Sequence, residues 1–187
     1  MTTTRIVSNI VAFQLGWFAC VLGAAGGMPL LGTGAAIAIV CWHLSIAPNP
    51  RAELILVAIA AVIGALWDSA LVALGWIHYP NGTLIAGTAP YWIVALWMLF
   101  ATTLNVSLEW LKRSVPMAAV FGLLGGPLAY LGGSKLDALV LVEPGFALAA
   151  LALGWGLLTP LLLRVADRFN GFAPVLSSSL QSEGSHA

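Results

Sequence analysis

Charge is what this sequence lacks most. Seven Lys and Arg and seven Asp and Glu are spread over 187 residues, and they cancel to a formal net charge of +0. Soluble domains carry about a quarter of their residues as charged groups. At 7% charged, a soluble fold would have too little with which to cover its surface. The zero balance also argues against the basic groove of a nucleic-acid binder and the polybasic tail of a peripheral lipid binder. Cysteine is almost as scarce. Cys20 and Cys41 lie inside apolar runs, at depths roughly 11 Å apart for helices rising 1.5 Å per residue, so no disulfide is expected. No Cys/His spacing suggests zinc, an iron–sulfur cluster or haem, so neither a metal nor a cofactor is expected. The signatures GxSxG and HExxH and a phosphate-binding glycine loop are missing as well. Ser69 beside Asp68 is turned about 100° away on a helix, so no nucleophile–base pair is evident there.

Hydrophobic length is what the chain has instead: 60% of its residues are hydrophobic and the mean hydropathy is +0.99. A spanning helix needs about 20 mostly apolar residues. Six segments qualify: Ile6–Ala24, Leu30–Ala47, Leu54–Ile77, Ala89–Leu111, Val115–Leu131 and Gly145–Leu163. They predict an all-α polytopic membrane protein with six transmembrane helices. A single domain is expected over residues 1–170, followed by a flexible Ser-rich tail over 171–187. The first segment follows a basic residue as a leader peptide would, but Asn9 and Gln14 interrupt its apolar core, and it is read as a spanning helix. The fifth contains Gly125-Gly126-Pro127 and is expected to kink or re-enter. Gly122 and Gly126, at GxxxG spacing, read as a helix-packing face.

Basic residues orient the bundle. A cytoplasmic N-terminus turns Arg5, Arg51, Lys112, Arg113, Arg164 and Arg168 inward and only Lys135 outward. With an even number of spans, both termini are then expected in the cytoplasm. Trp76, Tyr79, Tyr91 and Trp92 at the outer ends of the third and fourth segments, with Trp110 at the inner end of the fourth, read as an interfacial aromatic belt.

Polar residues inside the spans are the candidates for function. Asp68, in "GALWDSALVALGW", falls about 4 Å from the midplane of the third segment. A carboxyl there costs about 2.5–3.5 kcal/mol on insertion scales and calls for a partner. Gln14 and Thr102, at similar depth, are the expected ones. No Lys or Arg is near, so Asp68 is expected to be protonated or linked to water. Whether it works in function or only staples helices together is open. Thr102, Asn105 and Glu109 share one face of the fourth segment. Glu109 stands three and four residues before Lys112 and Arg113, which suggests a surface ion pair. His43, in the inner half of the second segment, sits near the depth of Asn105, so a His–Asn or His–Glu contact is expected there. Asp68 and Glu109 differ in depth by about 16 Å and cannot form a carboxylate dyad. A relay from Asp68 through Thr102 and Asn105 to His43 or Glu109 is the longer alternative. Asn81-Gly82-Thr83 is first a turn, and only secondarily a glycosylation acceptor.

The block "WDSALVALGWIHYPNG…APYWIVALWMLFATTLNVSLEWL", with Asp68, Pro90, Trp92, Trp97, Ser107 and Trp110 as its distinctive positions, is similar to a family of small bacterial multi-pass inner-membrane proteins catalogued only as a domain of unknown function. The resemblance covers nearly the whole chain before the Ser-rich tail. It implies a place in the bacterial inner membrane and genes often near those of cyclopropane-fatty-acid-synthase-like and other lipid-modification enzymes. It carries over no activity and no catalytic residue. The leading expectation is thus a role in modifying or maintaining membrane lipids, with the bilayer as surroundings and a lipid substrate or membrane-protein partner rather than nucleic acid. A small secondary transporter or flippase is the alternative: three-plus-three inverted halves would pair "PLLGTG" and "GGP" as interrupted second helices. A structural membrane subunit is the third. Oligomeric state is left open.

Overall fold

Caps and prolines mark where the helices begin. The computed structural model, which describes residues 2–173, contains α1 (Thr3–Ala25), α2 (Pro29–Ile46), α3 (Pro50–Ala73), α4 (Tyr91–Leu104), α5 (Val115–Lys135) and α6 (Pro144–Arg168). The side chains of Thr2, Asn49 and Ser114 accept the backbone N–H groups of Arg5, Ala52 and Met117. Proline stands in the first turn of α2, α3, α5 and α6, where the missing N–H has no partner to lose. α1, α3 and α5 finish alike, with a left-handed residue just past the cap: Gly27 (φ 72°), Gly75 (φ 72°) and Asp137 (φ 62°). In each case the next N–H reaches back to a carbonyl in the last turn, from Met28 to Gly23, Trp76 to Leu71 and Ala138 to Gly133.

Those three caps lie together at one end of the bundle, the far end. There Ile77–His78 (β1) pairs antiparallel with Val140–Leu141 (β2), and the Asn81 side chain donates to the Ala24 carbonyl (2.9 Å). The start of α1, the α2–α3 and α4–α5 links and the end of α6 gather at the opposite, terminal end.

Among the described residues, five helices are long and apolar enough to cross a membrane. Their outward faces are apolar: on α1, Val7, Val11, Leu15, Phe18 and Leu22 are all exposed, and on α6 Leu153, Leu157 and Leu161. Such stripes match lipid rather than water, and the chain is a multi-pass integral membrane protein.

The fourth helix is the exception. It spans 14 residues, not the 23 expected from Ala89 to Leu111. α4 is enclosed by α1, α2, α3 and α6, with residues on all its faces buried, so it meets protein where the others meet lipid. From Asn105 the chain leaves the helix, turns, and forms a 3-10 segment at Glu109–Arg113. Irregular backbone at that level is tolerated because protein supplies its hydrogen bonds. The Asn9 side chain donates to the Thr102 carbonyl (3.1 Å), and Leu108 N–H donates to the Thr103 carbonyl (2.8 Å).

Two other expectations are corrected. α5 runs unbroken through Gly125-Gly126-Pro127, and α2 is equally continuous, so the interrupted pair expected of inverted transporter halves is not formed. A β-carbon at Gly126 would overlap the Trp155 ring, and one at Gly122 the Trp155 backbone. This close approach of α5 to α6 supports the helix where proline removes one of its own bonds. The aromatic belt is also only partial. Tyr79 and Trp92 are buried inside the bundle, edge to face at 5.6 Å, whereas Trp110 is exposed. After α6, the Gly171 N–H donates to Glu53 and the Phe172 ring lies 5.2 Å from the His43 ring at the terminal end. The Ser-rich stretch from 174 onward lies outside the described residues.

Candidate functional site

Asp68 lies in the second half of α3, about 10 Å from its middle at the helical rise, because the helix begins at Pro50 and ends at Ala73 rather than running from Leu54 to Ile77. It is fully buried. Three neutral aromatic side chains hold it. The Tyr79 hydroxyl donates to Oδ1 at 2.8 Å, the Tyr130 hydroxyl to the same oxygen at 2.6 Å, and the Trp97 indole N–H to Oδ2 at 2.7 Å. These donors come from the far-end loop, α5 and α4. The carboxyl thus ties three separate parts of the chain to α3. Packing fixes the arrangement: a β-carbon at Gly64, one turn earlier, would overlap the Trp97 ring, so only glycine lets the indole close on Asp68.

Neither expected partner takes part. Thr102 turns its hydroxyl to the Leu99 carbonyl of its own helix (2.7 Å), and Gln14 is exposed on α1. Ser69 accepts from the Ala89 N–H (2.9 Å) and fastens the α4 approach.

A second buried carboxylate was not singled out in the sequence. Glu53 sits in the first turn of α3 at the terminal end and is fully buried. Its Oε2 meets His43 Nε2 at 2.8 Å, and its Oε1 accepts from Asn105 Nδ2 (2.6 Å) and Gly171 N–H (2.8 Å). Asn105 in turn accepts from Lys112 Nζ (2.6 Å), which also pairs with Asp167 (3.1 Å). His43 and Asn105 therefore meet through Glu53 and not directly. Lys112 serves Asn105 and Asp167, so the ion pair expected with Glu109 is replaced, and Glu109 remains partly exposed outside the cluster. The proposed relay finds no path through Thr102, whose hydroxyl is spent on its own helix.

Between α1, α4, α5 and α6 lies a cavity of about 590 Å³, within the roughly 300–1,000 Å³ common to small-molecule sites. Its rim carries the exposed side chains of Ile10, Phe121 and Leu128. Tyr130 and Trp97, two of the three Asp68 donors, form part of its wall, so the carboxyl stands directly behind that wall. Trp97 stacks on Trp155 at 4.5 Å and 16°, and Phe100 meets Trp155 edge-on at 5.1 Å. Among the described residues, no three His, Cys, Asp or Glu come close enough to hold a metal ion.

Comparison with known families supplies the chain's affiliation. The family model described as "Protein of unknown function (DUF2878)" matches residues 6–161. The chain belongs to that family. In this DUF2878 protein the matched region takes in Asp68, its three donors, the cavity and Glu53, and stops within α6. No curated protein and no solved structure matches the chain significantly.

The sequence missed Glu53 because the third segment was drawn from Leu54, which leaves Glu53 in the link "APNPRAE" before it. Asn-Pro before a long apolar run is a helix-start signal, and it would have put Glu53 in a first turn. Tyr79 and Tyr130 gave no comparable signal, since both reach Asp68 across the fold.

Proposed function

We propose that this protein admits the apolar part of a membrane lipid into its lateral cavity and serves in the modification or maintenance of membrane lipids. The observation that carries the reading is the cavity itself: an apolar space of ligand size, rimmed by lipid-facing side chains. Concave apolar sites with a few convergent polar groups are where ligands bind. The Asp68 cluster supports the same reading as a scaffold, because it locks Trp97 and Tyr130 into the cavity wall at fixed angles. The transporter reading has less support, since α2 and α5 are unbroken and both buried carboxylates are closed in by hydrogen bonds. A bacterial inner-membrane location belongs to this proposal as well.

Occupancy is tested with phospholipids brominated on their acyl chains, which quench tryptophan on contact. In nanodiscs of such lipid, the wild type should lose markedly more fluorescence than Gly125→Leu. Gly125 lines the cavity, and a β-carbon there meets only the Phe121 ring at 4.0 Å, so leucine fills the space without displacing helices. Equal quenching of the two proteins contradicts an occupied cavity. The cellular role is tested by lipid analysis of a deletion strain under normal and photo-oxidative growth, where unchanged acyl chains in both conditions contradict it.

A further inference from the structure

The cavity is open toward one end of the bundle and shut toward the other. On three of its walls the residues nearest the terminal end are exposed: Ile10 on α1, Trp110 on the 3-10 segment and Phe121 on α5. At the far end Val21, Trp92 and Leu139 are buried. There a β-carbon at Gly132 of α5 would meet the Trp17 ring of α1 at 3.4 Å, so the two helices come together. Nearer the terminal end the cavity separates them.

The polar atoms follow the same direction. The Trp92 and Trp97 indole N–H groups and the Tyr130 hydroxyl are spent on Asn81 and Asp68, so these residues turn apolar rings to the cavity. On α1 the wall from Ile10 to Val21 is about 16 Å long at the helical rise and passes the middle of the helix at Gln14. An acyl chain suits such a wall, with its methyl end at the blind end, where a polar headgroup would lose its solvation.

The lip carries a cation. Glu109–Arg113 is a 3-10 segment with three residues per turn, so Arg113 shares a face with Trp110. Arg113 is exposed, and neither ion pair among the described residues involves it. Lys112 is held by Asn105 and Asp167, and Glu109 shares the face of Lys112 instead. Trp110 itself has the amphipathic ring favoured at headgroup level. A guanidinium beside it matches a phosphate in both shape and charge.

Resting on the lipid-cavity reading, we propose that the occupant is an anionic phospholipid of the leaflet at the terminal end, with one acyl chain extended toward Val21 and Leu139 and its phosphate at Arg113. The chain enters sideways between α1 and α5, and the headgroup never leaves its own leaflet. Binding alone is proposed.

Two photoreactive phosphatidylglycerols test the direction, one with a diazirine at the end of an acyl chain and one with it beside the ester. With the full chain in nanodiscs, the chain-end probe should label Val21 and Leu139, which are closed to bulk lipid, and the ester-side probe should label Ile10 and Trp110. Gly125→Leu should lose the Val21 and Leu139 labels. The reverse pattern overturns the direction of insertion and leaves the lipid cavity standing. Labelling of the far wall by neither probe, or labelling that Gly125→Leu leaves unchanged, overturns both readings. The headgroup is tested by native mass spectrometry of the chain ejected from nanodiscs of phosphatidylglycerol and phosphatidylcholine in equal parts. The wild type should retain phosphatidylglycerol in preference. Arg113→Gln should lower that preference about 5-fold, the equivalent of about 1 kcal/mol for one basic residue at a membrane surface. Arg51→Gln, at the same end but outside the cavity, should leave it unchanged. A preference unaltered by Arg113→Gln, or lowered equally by Arg51→Gln, overturns the headgroup assignment.

Discussion

Two carboxylates are buried in this bundle, and the chain satisfies them by different chemistry. Asp68, well inside α3, is held by two phenols and an indole, and no cation takes part. Glu53, at the terminal end, is held by an imidazole, an amide and a backbone N–H, with Lys112 one step further out. The difference follows depth. At the helix end, the Lys112 ammonium is able to keep contact with water and with the half-exposed Asp167. Further in, an ammonium or guanidinium would bring an ion whose desolvation must be offset. Tyrosine and tryptophan instead deliver strong donors on apolar bodies, and their rings pack as core. The outer site fastens chain ends, with Gly171 drawn onto Glu53. The inner site fixes the wall of a cavity.

This contrast is broken most severely by deleting the carboxyls. Asp68→Ala strands three buried donors and should cost at least about 3 kcal/mol, at about 1–3 kcal/mol for each donor left unmade. Glu53→Ala strands comparable groups near the bundle end, where water enters, and should cost about 1–3 kcal/mol. Unfolding in detergent with a chemical denaturant measures both, and a larger loss at Glu53 would reverse the assignment of depth. Adding a side chain at the α5–α6 contact comes next. Gly126→Ala pushes a methyl into the Trp155 ring and should cost about 1–3 kcal/mol as overpacking, read as a lowered melting temperature. Asp68→Asn is subtler. Its amide oxygen still accepts from the tyrosines, but its NH₂ faces the Trp97 N–H, donor against donor. In a double-mutant cycle, Trp97→Phe should therefore cost about 1 kcal/mol more in the wild type than beside Asp68→Asn. Glu109→Gln is the smallest change. Outside both clusters, it should stay within about 0.5 kcal/mol of the wild type.

How much of this was legible in the sequence depends on how local each signal is. The long apolar runs around Val57 or Leu151 declare themselves because lipid demands consecutive apolar residues. α4 misled because "YWIVALWMLFATTLNVSLEWL" is apolar enough to span, and nothing within it says that its neighbours enclose it and let it stop at Leu104. Asp68 was conspicuous as a charge among apolar residues, yet its partners were not. Depth matching proposed Gln14 and Thr102, whereas Tyr79 arrives from a loop folded back into the bundle and Tyr130 from a helix 62 residues away. Gln14 was marked as polar inside a span, which is correct, but it lines the cavity and leaves Asp68 to others. Side chains that meet only through tertiary structure leave no periodic trace in the chain. The helices were legible and the contacts between them were not.

The central claim is that Asp68 clamps the aromatic wall of the cavity through Trp97. Proton NMR of the tryptophan indole N–H groups in nanodiscs tests it most directly, with Trp97 assigned by Trp97→Phe. A short bond of 2.7 Å should place the Trp97 resonance downfield of the other indoles, and Asp68→Asn should return it to their range. A Trp97 resonance that already lies among the others, or that Asp68→Asn leaves unmoved, would contradict the account.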